Sequence, residues 1–395
     1  MKDSIYNYRF NINNKEYIFN TNNGGLLEVN KDGYSEEEQK YLIENKFWVN
    51  DDFDEVAYLE REINQNIKSG IDNLELTIAL TNQCNFNCIY CSQNKNQRIM
   101  TKKVANDIIL KIRKILSMQK FRKISIHYFG GEPLMNIPIL LYLDKNIKEV
   151  SIEKNIEYSP VITTNGSLLS EEILSAVKFR SIQLTFDGFE GTHNNLRKSD
   201  SFHFNDELML IERILRNSEA KIVFRMNICK QNKDEAIELH KFIIEKYGYD
   251  RIEINPNRMI KYHENDPFDM LTPREFAEII FQIRVLMDKM TGRYVLPTPR
   301  GIPCKFPYGN AYAISPEGYC NFCSGSMKNG KIKFTNIDTE EKKEITFRDE
   351  CRKCKCLPLC LGGCIVQHDL KAGCCTYEKY QMKQIIEHYI ERIAT

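Results

Sequence analysis

The chain has 395 residues, more than one compact domain usually needs, and 42% are apolar, too many for a disordered chain. Its 55 Lys and Arg against 54 Asp and Glu leave a formal charge of +1, so the charge balance calls for neither nucleic acid nor an anionic membrane as partner. No apolar run approaches membrane-span length, and the start Met1-Lys2-Asp3-Ser4 lacks the apolar stretch of a signal peptide, so a soluble cytoplasmic protein is expected.

Residues 1–70 read as a small α+β unit. Tyr6, Tyr8, Phe10 and Ile12 alternate with polar residues, as a half-buried strand does. A second strand, Tyr17–Asn20, turns through Asn22-Asn23-Gly24-Gly25 into Leu26–Val29. Ser35 and Glu38 have capping-box spacing, and Val56, Leu59, Ile63 and Ile67 mark one face of a further helix. From 71 to 295 strands and helices alternate. Strands are predicted at Leu76–Leu80, Ile124–Phe129, Tyr158–Thr163, Ser181–Phe186, Ala220–Ile228 and Arg251–Asn255, and the last helix opens with Thr272, Pro273 and Glu275. Six β-α units imply a parallel sheet covered by helices, an α/β fold that curls into a partial, TIM-like barrel. Ligand chemistry in such a sheet sits at the C-terminal strand ends. Pro297, Pro299 and Pro303 punctuate a linker, and residues 296–395 read as a cysteine-rich domain closed by a helix carrying Met382, Ile385, Ile386, Tyr389 and Ile393.

Fourteen cysteines are the outlying feature. In a reducing compartment they point to metal more readily than to disulfides. Three lie within Cys84–Cys91, Cys229 stands alone, and ten fall between Cys304 and Cys375, which suggests at least two metal regions. Cys84, Cys88 and Cys91 follow the first predicted strand. At spacings of four and three, each thiolate can take one iron of a cubane cluster, leaving a fourth iron open. The plainer readings are an incomplete zinc site or an electron-transfer cluster. Phe129-Gly130-Gly131-Glu132-Pro133 closes the second strand. Its glycines permit close backbone approach, and Glu132 can accept hydrogen bonds from an ammonium group, although the same residues also make an ordinary turn. Thr163-Thr164-Asn165-Gly166 ends the third strand, Leu184-Thr185-Phe186-Asp187-Gly188 ends the fourth, and Arg225 and Asn227 lie on the fifth. Cys229, on a strand, reads as a buried apolar residue.

This series of motifs resembles the radical S-adenosylmethionine (radical SAM) superfamily. The resemblance implies a [4Fe-4S] cluster on Cys84, Cys88 and Cys91, with the open iron chelated by the amino and carboxylate groups of S-adenosylmethionine. It further implies cofactor contacts from Tyr90, whose backbone reaches the adenine, and from Gly130, Gly131, Glu132, Thr164 and Asn165. Thr185 matches a hydroxyl residue that touches the cofactor, Arg197 matches the arginine twelve positions on that holds its carboxylate, and Arg225 is a further candidate. The later cysteines run Cys304-X13-Gly318-X4-Cys323, then Cys351-X2-Cys354-X5-Cys360-X3-Cys364, then Cys374 and Cys375. That pattern resembles the SPASM domain, which implies two auxiliary iron–sulfur clusters. By position Cys304, Cys323 and Cys364 belong to the first, with Cys320 a candidate fourth ligand. Cys351, Cys354, Cys360 and either Cys374 or Cys375 belong to the second, and Cys356 is left over. Without the barrel, the same cysteine pairs read as zinc ribbons.

The family implies an electron from a flavodoxin or ferredoxin and a hydrogen atom taken from substrate carbon. The expected substrate is a ribosomally made precursor peptide, joined through a thioether or a carbon–carbon bond. Residues 1–70 resemble a winged-helix leader-binding domain, and read equally well as an extension packed on the barrel. A sulfatase maturase that forms formylglycine is the close competitor. Such enzymes carry an aspartate after the cysteine aligned with Cys323, where this chain has Ser324. A non-catalytic zinc-binding interaction module is the reading from another class.

Overall fold

The structure is a computed structural model describing every residue except 70, 71, 94, 263, 309, 322, 326–329, 338–343, 370–372 and 395. The chain divides into two compact units. The first comprises Met1–Gly70, Thr272–Cys304 and Glu344–Thr395, and the second Ile71–Leu271 and Lys305–Lys343.

In the first unit, β1 (Asn7–Ile12) pairs antiparallel with β2 (Lys15–Asn20), and β2 with β3 (Leu26–Glu28). Asn13 and Asn14 join β1 to β2 at φ of 51° and 63°, the left-handed pair that a tight hairpin of this twist requires. Helix Glu36–Glu44 begins at the predicted box: Glu38 N donates to Ser35 Oγ, and Ser35 N donates to Glu38 Oε2 at 2.7 Å. Helix Glu55–Ser69 buries the predicted Val56, Leu59, Ile63 and Ile67. Phe10, Ile12 and Phe19 share one core with Cys356, Leu359, Met382, Ile386 and Ile390. Polar ties flank that core. Lys355 Nζ donates to Asn7 O at 2.7 Å, Arg352 pairs with Glu60 at 2.6 Å, and Ile345 N donates to Asn64 Oδ1 at 2.7 Å. The apolar face of the N-terminal sheet is thus completed by residues 344–395. Helix Pro273–Thr291 starts on the predicted Thr272–Glu275 box, and its Asp288 meets His388 of helix Glu378–Ala394 at 2.9 Å.

The second unit holds β4 (Asn73–Ala79), β5 (Lys123–Phe129), β6 (Glu157–Thr163), β7 (Ser181–Thr185), β8 (Lys221–Ile228) and β9 (Ile252–Arg258). Each overlaps a predicted strand. All six are parallel and stand side by side in chain order, with a helical crossover between neighbours. Side chains alternate across the pleat. On β5, Ile124, Ile126 and Tyr128 are fully buried, while His127 and Phe129 face the other way and are less enclosed. Helix Lys102–Met118 is capped by Thr101 and buries Ile108, Ile112 and Ile115.

Residues 305–343 belong to the sheet unit, and 272–304 belong to the first unit. β10 (Ala311–Ile314) lies parallel beside β4, and β11 (Tyr319–Asn321) and β12 (Ile332–Lys333) continue the sheet antiparallel. The physical reason is the open edge of β4, whose free N–H and C=O groups take a further strand. Ala311, Ala313 and Ile314 are apolar and buried there. Among the described residues, no helix is long and apolar enough to cross a membrane.

Candidate active site

The loop that carries Cys84, Cys88 and Cys91 leaves the C-terminal end of β4 and is seated by the turn that ends β5. Gly131 N donates to Thr81 O at 2.9 Å, and Glu132 N to Gln83 O at 2.8 Å. A Cβ on Gly130, at φ +144°, would lie 2.3 Å from Thr81 O, and one on Gly131 would lie 2.3 Å from Gln83 O. These glycines permit a close approach of backbone to the cysteine loop.

Glu132 is fully buried. Its carboxylate accepts from Leu134 N (2.9 Å), Thr164 Oγ1 (2.8 Å) and Asn165 N (2.7 Å). Burial raises its pKa, and these donors oppose the rise. The residue ties the end of β5 to the end of β6 and lies outside the cavity lining described below. Asn165 Nδ2 donates to Asn85 Oδ1 at 2.8 Å and stands 4.0 Å from Cys84 Sγ. Burial pushes the Cys84 thiol up to about 11, and Cys88 is raised for the same reason.

A second set of contacts joins this loop to β7 and β8. Asp187, 1% exposed, accepts from the Tyr90 hydroxyl and from Asn227 N at 2.7 Å. Arg197, 6% exposed, donates from Nη1 to Tyr90 Oη at 3.3 Å, and its guanidinium lies 5.2 Å from the Phe86 ring. Its Nε has no hydrogen-bond partner among the described residues. Burial works against the charge of Arg197, and Cys88, Tyr90, Glu207 and Asp187 around it more than offset that. His193 and Glu207 form a buried pair 3.2 Å apart behind Asp187. Cys229 is fully buried among Leu196, Met259 and Phe268, the structural part expected of it.

One cavity collects most of the predicted residues. Cys84, Cys88 and Cys91 line it with Tyr90, Gly130 and Gly131 on one side, and Thr164, Asn165, Thr185, Arg197 and Arg225 on the other. Arg225 donates from Nε to Asn227 Oδ1 at 2.8 Å, so Asn227 orients it. Gln183, Arg258, Met259, Ile260 and Tyr262 also line the cavity and escaped sequence reasoning. Gln183 had a usable signal, since it lies two residues before Thr185 on the same strand face. Arg258 and the residues after it had none, because β9 runs three residues past its predicted end.

The C-terminal cysteines separate by unit. Arg348 Nη2 donates to Cys374 Sγ at 3.4 Å and lies 3.8 Å from Cys351 Sγ, which brings two predicted ligands to one cation. Lys379 Nζ donates to Cys375 Sγ at 3.4 Å. Burial pushes the Cys360 thiol up to about 11, and the neighbouring Cys354, Cys351 and Cys375 add to the rise. Cys304 and Cys364 are exposed residues of the first unit, whereas Cys320 and Cys323 belong to the second. Cys320 lies on β11, where burial pushes its thiol up to about 12. Cys323 Sγ accepts from Gly325 N at 3.3 Å, and Gly325 lines the cavity. Among the described residues, no three His, Cys, Asp or Glu side chains stand close enough to share a single metal ion.

Residues 78–243 match the Radical SAM superfamily. The chain is 22% identical to the radical SAM cyclopropyl synthase TigE of Paramaledivibacter caminithermalis, over 83% of its own length and 77% of that protein's. In fold it is similar to native anSMEcpe with bound AdoMet and Cp18Cys peptide, at a TM-score of 0.63 and 18% identity over 82% of this chain and 98% of that one. It is also similar to SuiB of Streptococcus suis bound to its precursor peptide SuiA, at a TM-score of 0.56 and 16% identity over 93% and 96% of the two chains.

Proposed function

We propose that the chain is a peptide-modifying radical SAM enzyme with a partial-barrel catalytic domain and a SPASM domain that carries auxiliary iron–sulfur clusters. The observation that carries this reading is Arg197. A buried guanidinium whose Nε has no hydrogen-bond partner among the described residues, lining the cavity that the three loop cysteines also line, fits an anionic ligand group beside a cluster. When bound, a [4Fe-4S] cluster with S-adenosylmethionine supplies a 5′-deoxyadenosyl radical able to take a hydrogen atom from unactivated carbon.

The chain's own residues supply the rest. Cys84, Cys88 and Cys91 would hold the cluster through their three thiolates. Gly130 and Gly131 keep the loop of these thiols against the sheet, and Asn165 braces Cys84 through Asn85. Arg197 takes the carboxylate, and Thr185, Thr164 and the Tyr90 backbone fall to the remainder of the cofactor. Arg225, turned by Asn227, and Arg258 face the substrate side. Electrons come from a flavodoxin or ferredoxin.

The substrate is a ribosomally made peptide, which acquires a thioether or carbon–carbon bond, and residues 1–70 recognise its leader. The bound peptides of the SuiB and anSMEcpe structures support a peptide substrate. Ser324 in place of an aspartate counts against sulfatase maturation. The deciding experiment incubates the anaerobically reconstituted chain with S-adenosylmethionine, dithionite and a candidate precursor peptide. The expected result is 5′-deoxyadenosine together with a peptide lighter by two mass units. A colourless zinc protein that releases no 5′-deoxyadenosine would overturn the reading.

A further inference from the structure

The cavity at the strand ends, about 230 Å³ in volume, has a cationic lining. Lys95, Arg197, Arg225 and Arg258 line it, and among the described residues no aspartate or glutamate does. The groups expected to reside there would not balance these cations. Three thiolates offset a doubly positive oxidised [4Fe-4S] core and the net positive S-adenosylmethionine, so the resident charges cancel. Three of the four cations are engaged within the protein. Lys95 Nζ donates to Phe86 O and to Asn87 Oδ1, Arg197 is held against Tyr90, and Arg258 Nη1 donates to Leu271 O at 3.0 Å. Arg225 differs. It is exposed, and of its side-chain nitrogens only Nε is bonded among the described residues, to Asn227 Oδ1 at 2.8 Å. Asn227 is buried and fixed through its backbone: its N donates to Asp187 Oδ1 at 2.7 Å, and its O accepts from Asn232 Nδ2 at 2.8 Å. The two terminal nitrogens of Arg225 are thereby set as a fork before any ligand arrives.

Arg225 stands level with Thr185 on β7 and with Asn255 on β9, and paired residues of neighbouring parallel strands share a face. It lies one strand further along the sheet than Thr185 from β4, which carries the cysteine loop. We propose that Arg225 is a specificity-determining residue that takes a carboxylate of the peptide substrate, either an Asp or Glu side chain or the C-terminus. The inference rests on the peptide-modifying reading above. A guanidinium fork matches the two oxygens of a carboxylate, and little ordering entropy is lost on binding because Asn227 already fixes its direction. Entry of the peptide excludes water from the pair and strengthens it. A contact to the carboxylate of S-adenosylmethionine is the competing role, and the two differ in which ligand loses affinity when Arg225 is removed.

The test uses full-length wild type, Arg225→Ala and the charge reversal Arg225→Glu, all reconstituted anaerobically and immobilised with S-adenosylmethionine but no reductant. Two random hexapeptide libraries are applied, both N-acetylated, one with amidated and one with free C-termini, and the retained peptides are read by mass spectrometry. Wild type is expected to enrich carboxylate-bearing peptides over their Gln, Asn or amidated counterparts by about ten-fold. Enrichment of Asp or Glu in the amidated library assigns a side chain, and enrichment confined to free termini assigns the C-terminus. Arg225→Ala should lose the selection, and Arg225→Glu should turn it toward Lys and Arg, with iron content and the far-UV circular dichroism spectrum at wild-type values. Carboxylate selection that is absent from wild type, or that survives in Arg225→Ala, would overturn the proposal. So would a ten-fold loss of S-adenosylmethionine affinity in Arg225→Ala, measured by equilibrium binding, because Arg225 would then hold the cofactor. A wild type that retains no peptide from either library would overturn the peptide-substrate reading beneath the proposal, and the proposal with it.

Discussion

Cys84, Cys88 and Cys91 stand on a loop hung from the end of a parallel sheet, whereas Cys351, Cys354, Cys360 and Cys374 stand on single helical turns and the loops between them. The sheet end is stiff because β4 is paired on both sides, with β5 and β10, and two glycines let the next turn clasp the loop by its backbone. Three thiols then line a cavity with a guanidinium whose Nε has no hydrogen-bond partner among the described residues. The second region has four-residue helices, Asp349–Arg352 and Leu357–Cys360, too short to hold their own shape. Its frame is borrowed from the N-terminal sheet and from cations laid on its sulfurs, Arg348 on Cys351 and Cys374 and Lys379 on Cys375. The comparison teaches that an open reactive site is held by backbone, and an enclosed one by side chains brought from elsewhere.

The largest effect should come from the loop. Replacing Cys84, Cys88 and Cys91 by Ala is expected to remove one cluster's worth of iron and all cleavage of S-adenosylmethionine, measured by iron assay and by chromatography of 5′-deoxyadenosine. Cleavage that survives would end the assignment of the open site to this loop.

Next in size is the frame of the other region. Phe19 is fully buried between the N-terminal sheet and Leu359, Met382 and Ile386. Phe19→Ala should destabilise the first unit by about 3–5 kcal/mol in denaturant unfolding. Iron bound to the C-terminal cysteines should fall, while iron bound through Cys84, Cys88 and Cys91 stays. Equal loss from both regions would show that the two do not depend on different frames.

Arg197→Ala should weaken S-adenosylmethionine binding by about ten- to a hundred-fold, from a charge-assisted contact of roughly 1.5–3 kcal/mol. Equilibrium binding to the reconstituted protein measures this, with iron content unchanged. An unaltered dissociation constant would pass the role to Arg225.

The smallest change is Tyr90→Phe. It removes the hydroxyl that Asp187 and Arg197 share, so binding should weaken by about three- to ten-fold, from roughly 0.5–1.5 kcal/mol. A larger loss than that of Arg197→Ala would mean that Tyr90 orders the whole loop and does more than orient the guanidinium.

Much of this was legible in the amino-acid sequence because it is local. The six strands follow from apolar runs and their spacing, the helix starts from Ser35–Glu38 and Thr272–Glu275, and the cysteine loop from three thiols directly after a strand. Arg197 was singled out through the family resemblance, which implies an arginine twelve positions after the residue matched by Thr185. What only the tertiary structure decided depends on residues far apart in the chain. No periodicity announces that Ala311–Ile314 returns to the free edge of β4, because an edge is a property of the folded sheet. Glu132 reads as a ligand group in its motif, and the bonds its carboxylate accepts from Thr164 and Asn165 exist only when the end of β6 arrives beside it. Cys356 is one thiol among ten until β1 sets Tyr8 against it, and a hydrogen bond across that sequence distance exists only once both segments share one core.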